Sequence, residues 1–176
     1  MTTAAKNGKS VFSVAATRLD ELNRWGLEAS QTGDTEALAP MLEAGLPVNL
    51  RDEKGNTLLM LAAYHGHPST VELLLQHGAR VDAPNNRGQT PLGGVAFKGH
   101  VACARALVSA GADLNADNGG GMTPLMYASM FGRHDMVAYL VRAGANRRAR
   151  SKFGLSADIF KLCGWLFGRI ARRRNR

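Results

Sequence analysis

Gly88-Gln89-Thr90-Pro91-Leu92 is written again with one change as Gly121-Met122-Thr123-Pro124-Leu125, 33 residues further along the chain. One step earlier, Gly55-Asn56-Thr57-Leu58-Leu59 keeps the Gly, the Thr and the final Leu. The same step links Gly66, Gly99 and Gly132, then the pairs Gly78-Ala79, Gly111-Ala112 and Gly144-Ala145, then Ala83, Ala116 and Ala149. Segment 51–83 matches 84–116 at 10 of 33 positions, and 117–149 matches 84–116 at 12. Unrelated segments would share only a few, so the chain is a tandem duplication and its fold follows from one unit.

That unit can be derived physically. Gly55, Gly88 and Gly121 suit the backbone of a tight turn, and the Thr two residues later is a good N-cap. Pro91 and Pro124 fall at the first helical position, where a missing amide proton is harmless. The helix is short, and Gly66, Gly99 or Gly132 is expected to end it. A second helix follows, with Val71, Leu74 and Leu75, or Ala104, Leu107 and Val108, or Val137, Leu140 and Val141 as its apolar face. Gly-Ala closes it, and an extended Val81-Asp82 or Leu114-Asn115 leads to the next turn. No such unit buries its apolar face alone, so neighbours must stack into a solenoid with polar outer faces at its ends.

The pattern G-x-T-P-L, with Gly66-His67 and Gly99-His100, resembles the ankyrin repeat. The resemblance implies an all-α solenoid of stacked helix-turn-helix units joined by β-hairpin-like loops. It extends over 19–162: an N-terminal cap at 19–50, full repeats at 51–83, 84–116 and 117–149, and a C-terminal cap at 150–167. It also implies a non-catalytic module that binds a partner protein through its hairpin tips and the exposed side of the first helices. Carried over position by position, the first-helix surface comprises Tyr64, His65, Phe97, Lys98, Met130 and Phe131. The tips contribute Arg51, Glu53, Lys54, Asn86, Arg87, Lys152 and Phe153. Stacked at the repeat step, the first set forms a ladder of aromatic, Met and basic side chains, types enriched at interface cores apart from Lys. The partner's identity is open, and a monomer in the cytoplasm without cofactor or metal is expected.

Departures from the pattern carry expectations of their own. Met60, Gly93 and Met126 replace the family's His, and Leu58 stands where Pro is usual. Each residue of Gly93-Gly94 costs roughly 0.8–1 kcal/mol against Ala inside a helix, which makes the middle repeat the expected weak link, the alternative being that a partner's backbone approaches closely there. The side-chain-poor tip Asn118-Gly119-Gly120-Gly121 lacks the Gly-Lys-Ser/Thr that a phosphate cradle needs, and reads as a flexible hairpin. His67 and His100 occupy the Gly-His slot, consistent with local hydrogen bonding near a helix start.

The flanks are less regular. Residues 1–18 are polar and small with no sustained period and read as a disordered leader. Leu19, Leu22, Trp25 and Ala29 share a helical face, and a second helix starts at Thr35 and meets Pro40, where a kink or a short helix is expected. At the other end, Gly154 and Ser156 keep the repeat phase, and Ile159, Leu162, Cys163, Leu166 and Ile170 mark one helical face.

Charge is concentrated at that end. Residues 1–146 hold 12 Lys and Arg against 13 Asp and Glu, whereas 147–176 hold 10 against the single Asp158, which accounts for the net +8. Arg169, Arg172, Arg173, Arg174 and Arg176 form a tail over 168–176. The alternative to a protein-binding solenoid is therefore an anionic membrane surface or nucleic acid held by this tail. Two cysteines, Cys103 and Cys163, make no disulfide framework and read as buried thiols. No zinc ligand set, nucleophile motif or P-loop is present, which argues against catalysis.

Overall fold

In the computed structural model, which describes residues 4–160, eight helices form four consecutive pairs. The first helices are α1 (Ala4–Thr32), α3 (Leu58–His65), α5 (Pro91–Lys98) and α7 (Pro124–Met130); the second are α2 (Thr35–Glu43), α4 (Pro68–Gln76), α6 (Val101–Ser109) and α8 (His134–Arg142). Each first helix packs on its own partner and on the first helices of adjacent pairs, and the second helices do likewise, giving two parallel layers. Among the described residues the only β-type pairing is an isolated bridge, Arg51 to Thr57, at the base of a hairpin tip. Helical backbone resumes at 157–160, where Ala157 and Phe160 join the core.

Local chemistry sets each unit as its residues suggest. Thr57, Thr90 and Thr123 accept from the amides of Met60, Gly93 and Met126 at 3.2, 3.2 and 3.4 Å. Gly66 and Gly99 cap α3 and α5 in the left-handed conformation, with φ of 87° and 90°. α7 stops one residue sooner, at Met130, so Phe131 rather than Gly132 is its cap. In the second helices the buried stripe is Thr70, Val71 and Leu74, then Cys103, Ala104 and Leu107, then Met136 and Leu140. It is rotated from the expected face, leaving Leu75, Val108, Val137 and Val141 partly buried. The Cys103 thiol is buried and its pKa is pushed up to about 11 by that burial, so it stays protonated.

Neighbouring units are tied by side chains that reach back one repeat. His67 Nε2 donates to the Gln31 carbonyl at 3.0 Å and Arg133 Nε to that of Phe97 at 3.0 Å, and the His100 ring reaches back against Gly66. These imidazoles were expected to bond locally; instead they bridge repeats, because the preceding glycine leaves room. A Cβ on Gly66 would stand 2.9 Å from the His100 ring. On the loops after the second helices, Asn49, Asp82 and Asn115 accept from the amides of Arg80, Asp113 and Asn146.

The N-terminal unit departs most from expectation. α1 begins at Ala4, so 4–18, read above as an unstructured leader, is helical. That stretch has alanines at 4, 5, 15 and 16 and no proline, and extending an existing helix is cheap once it is nucleated. The buried face is only in part the one expected: Ala29 is buried and Leu22 packs against the core, but Leu19 and Trp25 are exposed, and Gly26 and Ser30 are buried beside Ala29. Gly26 decides this, since a Cβ there would lie 2.5 Å from Leu46 Cδ2. Pro40 does not shorten α2, which runs nine residues like the other second helices. Pro40 and Glu36 are both exposed, so the Glu36 carbonyl freed by the missing amide faces water.

Candidate functional site

Along the tips, one acceptor per unit organises the turn. Asp52 Oδ1 accepts from the amides of Lys54 and Asn56 at 2.9 and 2.8 Å, and Asn85 Oδ1 from those of Arg87 and Gln89, both at 3.0 Å. In the third full repeat the acceptor moves back one residue: Asp117 Oδ1 takes the amides of Gly119 and Gly121 at 2.8 Å. The glycine run is thus a hydrogen-bonded turn rather than a loose one. Gly119, Gly120 and Gly121 all have positive φ, and Lys152 of the next tip donates its amide to the Gly120 carbonyl at 2.9 Å.

That shift frees Asn118 to turn inward. Its Oδ1 accepts from the amide and the hydroxyl of Thr90 at 2.7 and 3.0 Å, and the residue is 2% exposed. The carboxamide rests against Gly93, where a Cβ would stand 1.9 Å from Asn118 Oδ1. Gly93 is therefore the seat of a buried cross-repeat polar contact. Gly94 differs, for it is half-buried and its only near neighbour is Tyr64 Cδ2 at 3.4 Å.

Between the tips and the first helices lies an open groove of about 480 Å³. Its tip side is lined by Asp52, Lys54, Asn56, Asn85, Arg87 and Gln89. Its helix side carries two rows at the repeat step: Leu61, Gly94 and Tyr127, then Tyr64 and Phe97. The Tyr64 and Phe97 rings are nearly parallel, 9° apart with centroids at 6.3 Å. Phe131 continues the ladder edge-on to Phe97 at 4.4 Å. Met130, which has the repeat phase of Tyr64 and Phe97, packs against the core instead, because α7 ends early and hands the surface position to Phe131. Lys98 Nζ lies 4.9 Å above the Tyr64 ring.

Apart from Met130 and from Glu53, which is exposed on the first tip, the sequence-derived residues of the repeats separate into three groups. Lys54, Tyr64, His65, Arg87 and Phe97 line the groove, with Lys98 and Phe131 against its aromatics. Arg51 and Asn86 hold the tips together: Arg51 Nη1 donates to the carbonyls of Gly55 and Pro84 at 2.8 and 2.7 Å, and Asn86 Nδ2 to that of Glu53 at 3.2 Å. Lys152 and Phe153 sit exposed on the last tip, Phe153 at 84%. Arg169, Arg172, Arg173, Arg174 and Arg176, the tail at 168–176, most of the predicted C-terminal helix and Cys163 lie outside the described residues. Leu61, Gln89 and Tyr127 were missed, although the 33-residue phase alone would have placed 61 and 127 in one row with Gly94.

The edge of the groove beside the helix ends is electropositive. Burial lowers the pKa of His65, helped by His67 and Lys98; burial also lowers that of His100, helped by Lys98, Arg133 and His67 and opposed by the Tyr64 carbonyl. A histidine whose folded pKa is depressed contributes stability that is fully present above its unfolded value, near 6.5, and is lost as pH falls from there through the lower folded value. The melting temperature is therefore expected to fall between about pH 7.5 and about pH 5.5, and His100→Gln to flatten part of that slope. Thermal melts across the window check this; an unchanged slope in the variant contradicts the role of His100.

Among the described residues no group of three or more His, Cys, Asp and Glu side chains could hold a metal, and no helix is long and apolar enough to cross a membrane.

Paired helices stacked in two layers, with projecting tips and a groove between tips and first helices, define a repeat solenoid. The chain belongs to the ankyrin repeat family: the model of three-copy ankyrin repeats matches residues 27–118 and 85–151. Relatives include a Pseudomonas aeruginosa chain that carries the name ankyrin repeat protein PA3287, 50% identical over 46 residues, covering 26% of this chain and 27% of that one. A second is a Medicago truncatula protein named VAPYRIN-LIKE, 39% identical over 74 residues, covering 38% of this chain and 16% of that one. The matches thus span about a quarter or less of the relatives' own lengths. Ankyrin repeats generally act by mediating protein–protein interaction.

Proposed function

We propose that this chain is a non-catalytic protein-interaction module whose contact surface is the groove between the hairpin tips and α3, α5 and α7. The observation that carries this is the half-exposed aromatic ladder Tyr64, Phe97 and Phe131, three rings in contact along one face rather than sunk in the core. Contiguous surface aromatics of this kind are favoured at interface cores. Membership of a family that works by binding proteins points the same way. The tips supply the rim, with Lys54 and Arg87 exposed over the groove.

The test is a photo-crosslinking amino acid placed in the full chain at Phe97 in the groove, or at Glu72 or Ser109 on exposed positions of the second-helix layer, in cells producing the protein. Adducts with a distinct protein at Phe97 and not at Glu72 or Ser109 are expected. Adducts confined to the second-helix positions would overturn the assignment of the groove.

A further inference from the structure

We infer that the groove recognises a short acidic peptide segment bearing one aromatic or large aliphatic anchor, and that the anchor enters a socket over Gly94. The inference rests on the groove being the contact surface, and it specifies what that surface takes. Along the inner row the step reads Leu61, Gly94, Tyr127, so a position without a side chain lies between two bulky ones. One turn further along the helices, Tyr64 and Phe97 wall the same spot with nearly parallel rings. A Cβ at Gly94 would meet only Tyr64 Cδ2 within 4 Å, at an ordinary contact distance of 3.4 Å, so the place beside the Tyr64 ring admits added apolar atoms without a clash. Gly94 differs in this from Gly93, whose place is filled by Asn118. An apolar hollow with aromatic walls takes one apolar side chain, the usual form of an anchor residue.

Charge specifies the flanks of the segment. Asp52 is the one carboxylate lining the groove, and its oxygens are engaged by the amides of Lys54 and Asn56 and by Asn56 Nδ2. The cations stand on both sides: Lys54 and Arg87 exposed on the tips, with Glu53 the one exposed acid beside Lys54, and Lys98 exposed at the helix end over the Tyr64 ring. A segment with Asp or Glu on either side of its anchor meets complementary charge on both rims, whereas a basic segment is repelled.

The experiment selects short linear peptides from a random displayed library against the full chain, then titrates the selected sequence, fluorescently labelled, into wild type and variants. Acid-rich peptides with a single Phe, Trp, Tyr or Leu are expected. Gly94→Leu, which fills the socket and favours the helix, should weaken binding at least ~10-fold without lowering the melting temperature. The pair Lys54→Glu and Arg87→Glu should weaken it by a similar factor, and added salt should weaken the wild-type complex. Peptides that compete at the groove, being sensitive to Phe97→Ala, yet carry no excess of acid or no anchor overturn this inference and leave the groove as the contact surface. Peptides indifferent to both Gly94→Leu and Phe97→Ala, or no enrichment at all, overturn the inference and the groove assignment together.

Discussion

Gly93→Ala is expected to destabilise the chain by about 2–4 kcal/mol, although alanine is the better helix former by roughly 0.8–1 kcal/mol. The added methyl would stand 1.9 Å from Asn118 Oδ1 and must expel the carboxamide. Expulsion removes the acceptor of the Thr90 amide and hydroxyl, both in a buried setting, and an unsatisfied buried donor costs more than a made hydrogen bond returns. Gly94→Ala, one residue on, is expected to have the opposite sign, a gain of about 0.5–1 kcal/mol, because its methyl meets nothing closer than Tyr64 Cδ2 at 3.4 Å. Urea or thermal unfolding of the two variants measures the contrast. Equal destabilisation would mean that backbone strain, not the seat for Asn118, governs both positions. In the double variant Gly93→Ala with Asn118→Ala the two losses should not add, since both remove the same contact.

The second large effect is expected at Leu107. It is fully buried in α6, at the centre of the second-helix layer, with α4 on one side and α8 on the other. Leu107→Ala should cost about 2–5 kcal/mol through lost transfer energy and the cavity left behind. Position adds a further consequence. In a solenoid each unit is stabilised through its neighbours, so a weakened central unit uncouples the two halves. The urea transition should therefore broaden as well as move to lower denaturant. A sharp transition displaced by less than about 1 kcal/mol would show that the site collapses around the smaller side chain and keeps the coupling.

Much of the unit was legible because its signals are local. A threonine two residues after a turn glycine caps a helix wherever it occurs, and Thr57, Thr90 and Thr123 all do so. A glycine past a helix end takes the left-handed backbone, as Gly66 and Gly99 do. The ladder was legible as far as periodicity holds, and it failed at Met130, where α7 ends a residue early and Phe131 takes the position beside Phe97. On the tips, Arg51 and Asn86 have the composition of contact residues, yet they bond backbone carbonyls of neighbouring tips. Residue type does not say whether a polar group faces a partner or its own chain.

From the 33-residue repeat alone follow the family, the succession of paired helices, their caps and the need to stack. These depend on backbone preferences and on apolar faces that no single unit can bury. Only the tertiary structure decided why Gly93 and Gly94, adjacent and identical in sequence, have different roles. One is occupied by a side chain from 25 residues further along the chain, Asn118, and the other is open to the groove. The period fixes where units lie with respect to each other, whereas the space above a glycine depends on which side chain of the next unit turns inward. That choice was made by the one-residue shift of a turn acceptor to Asp117, and it shows only when the repeats are stacked.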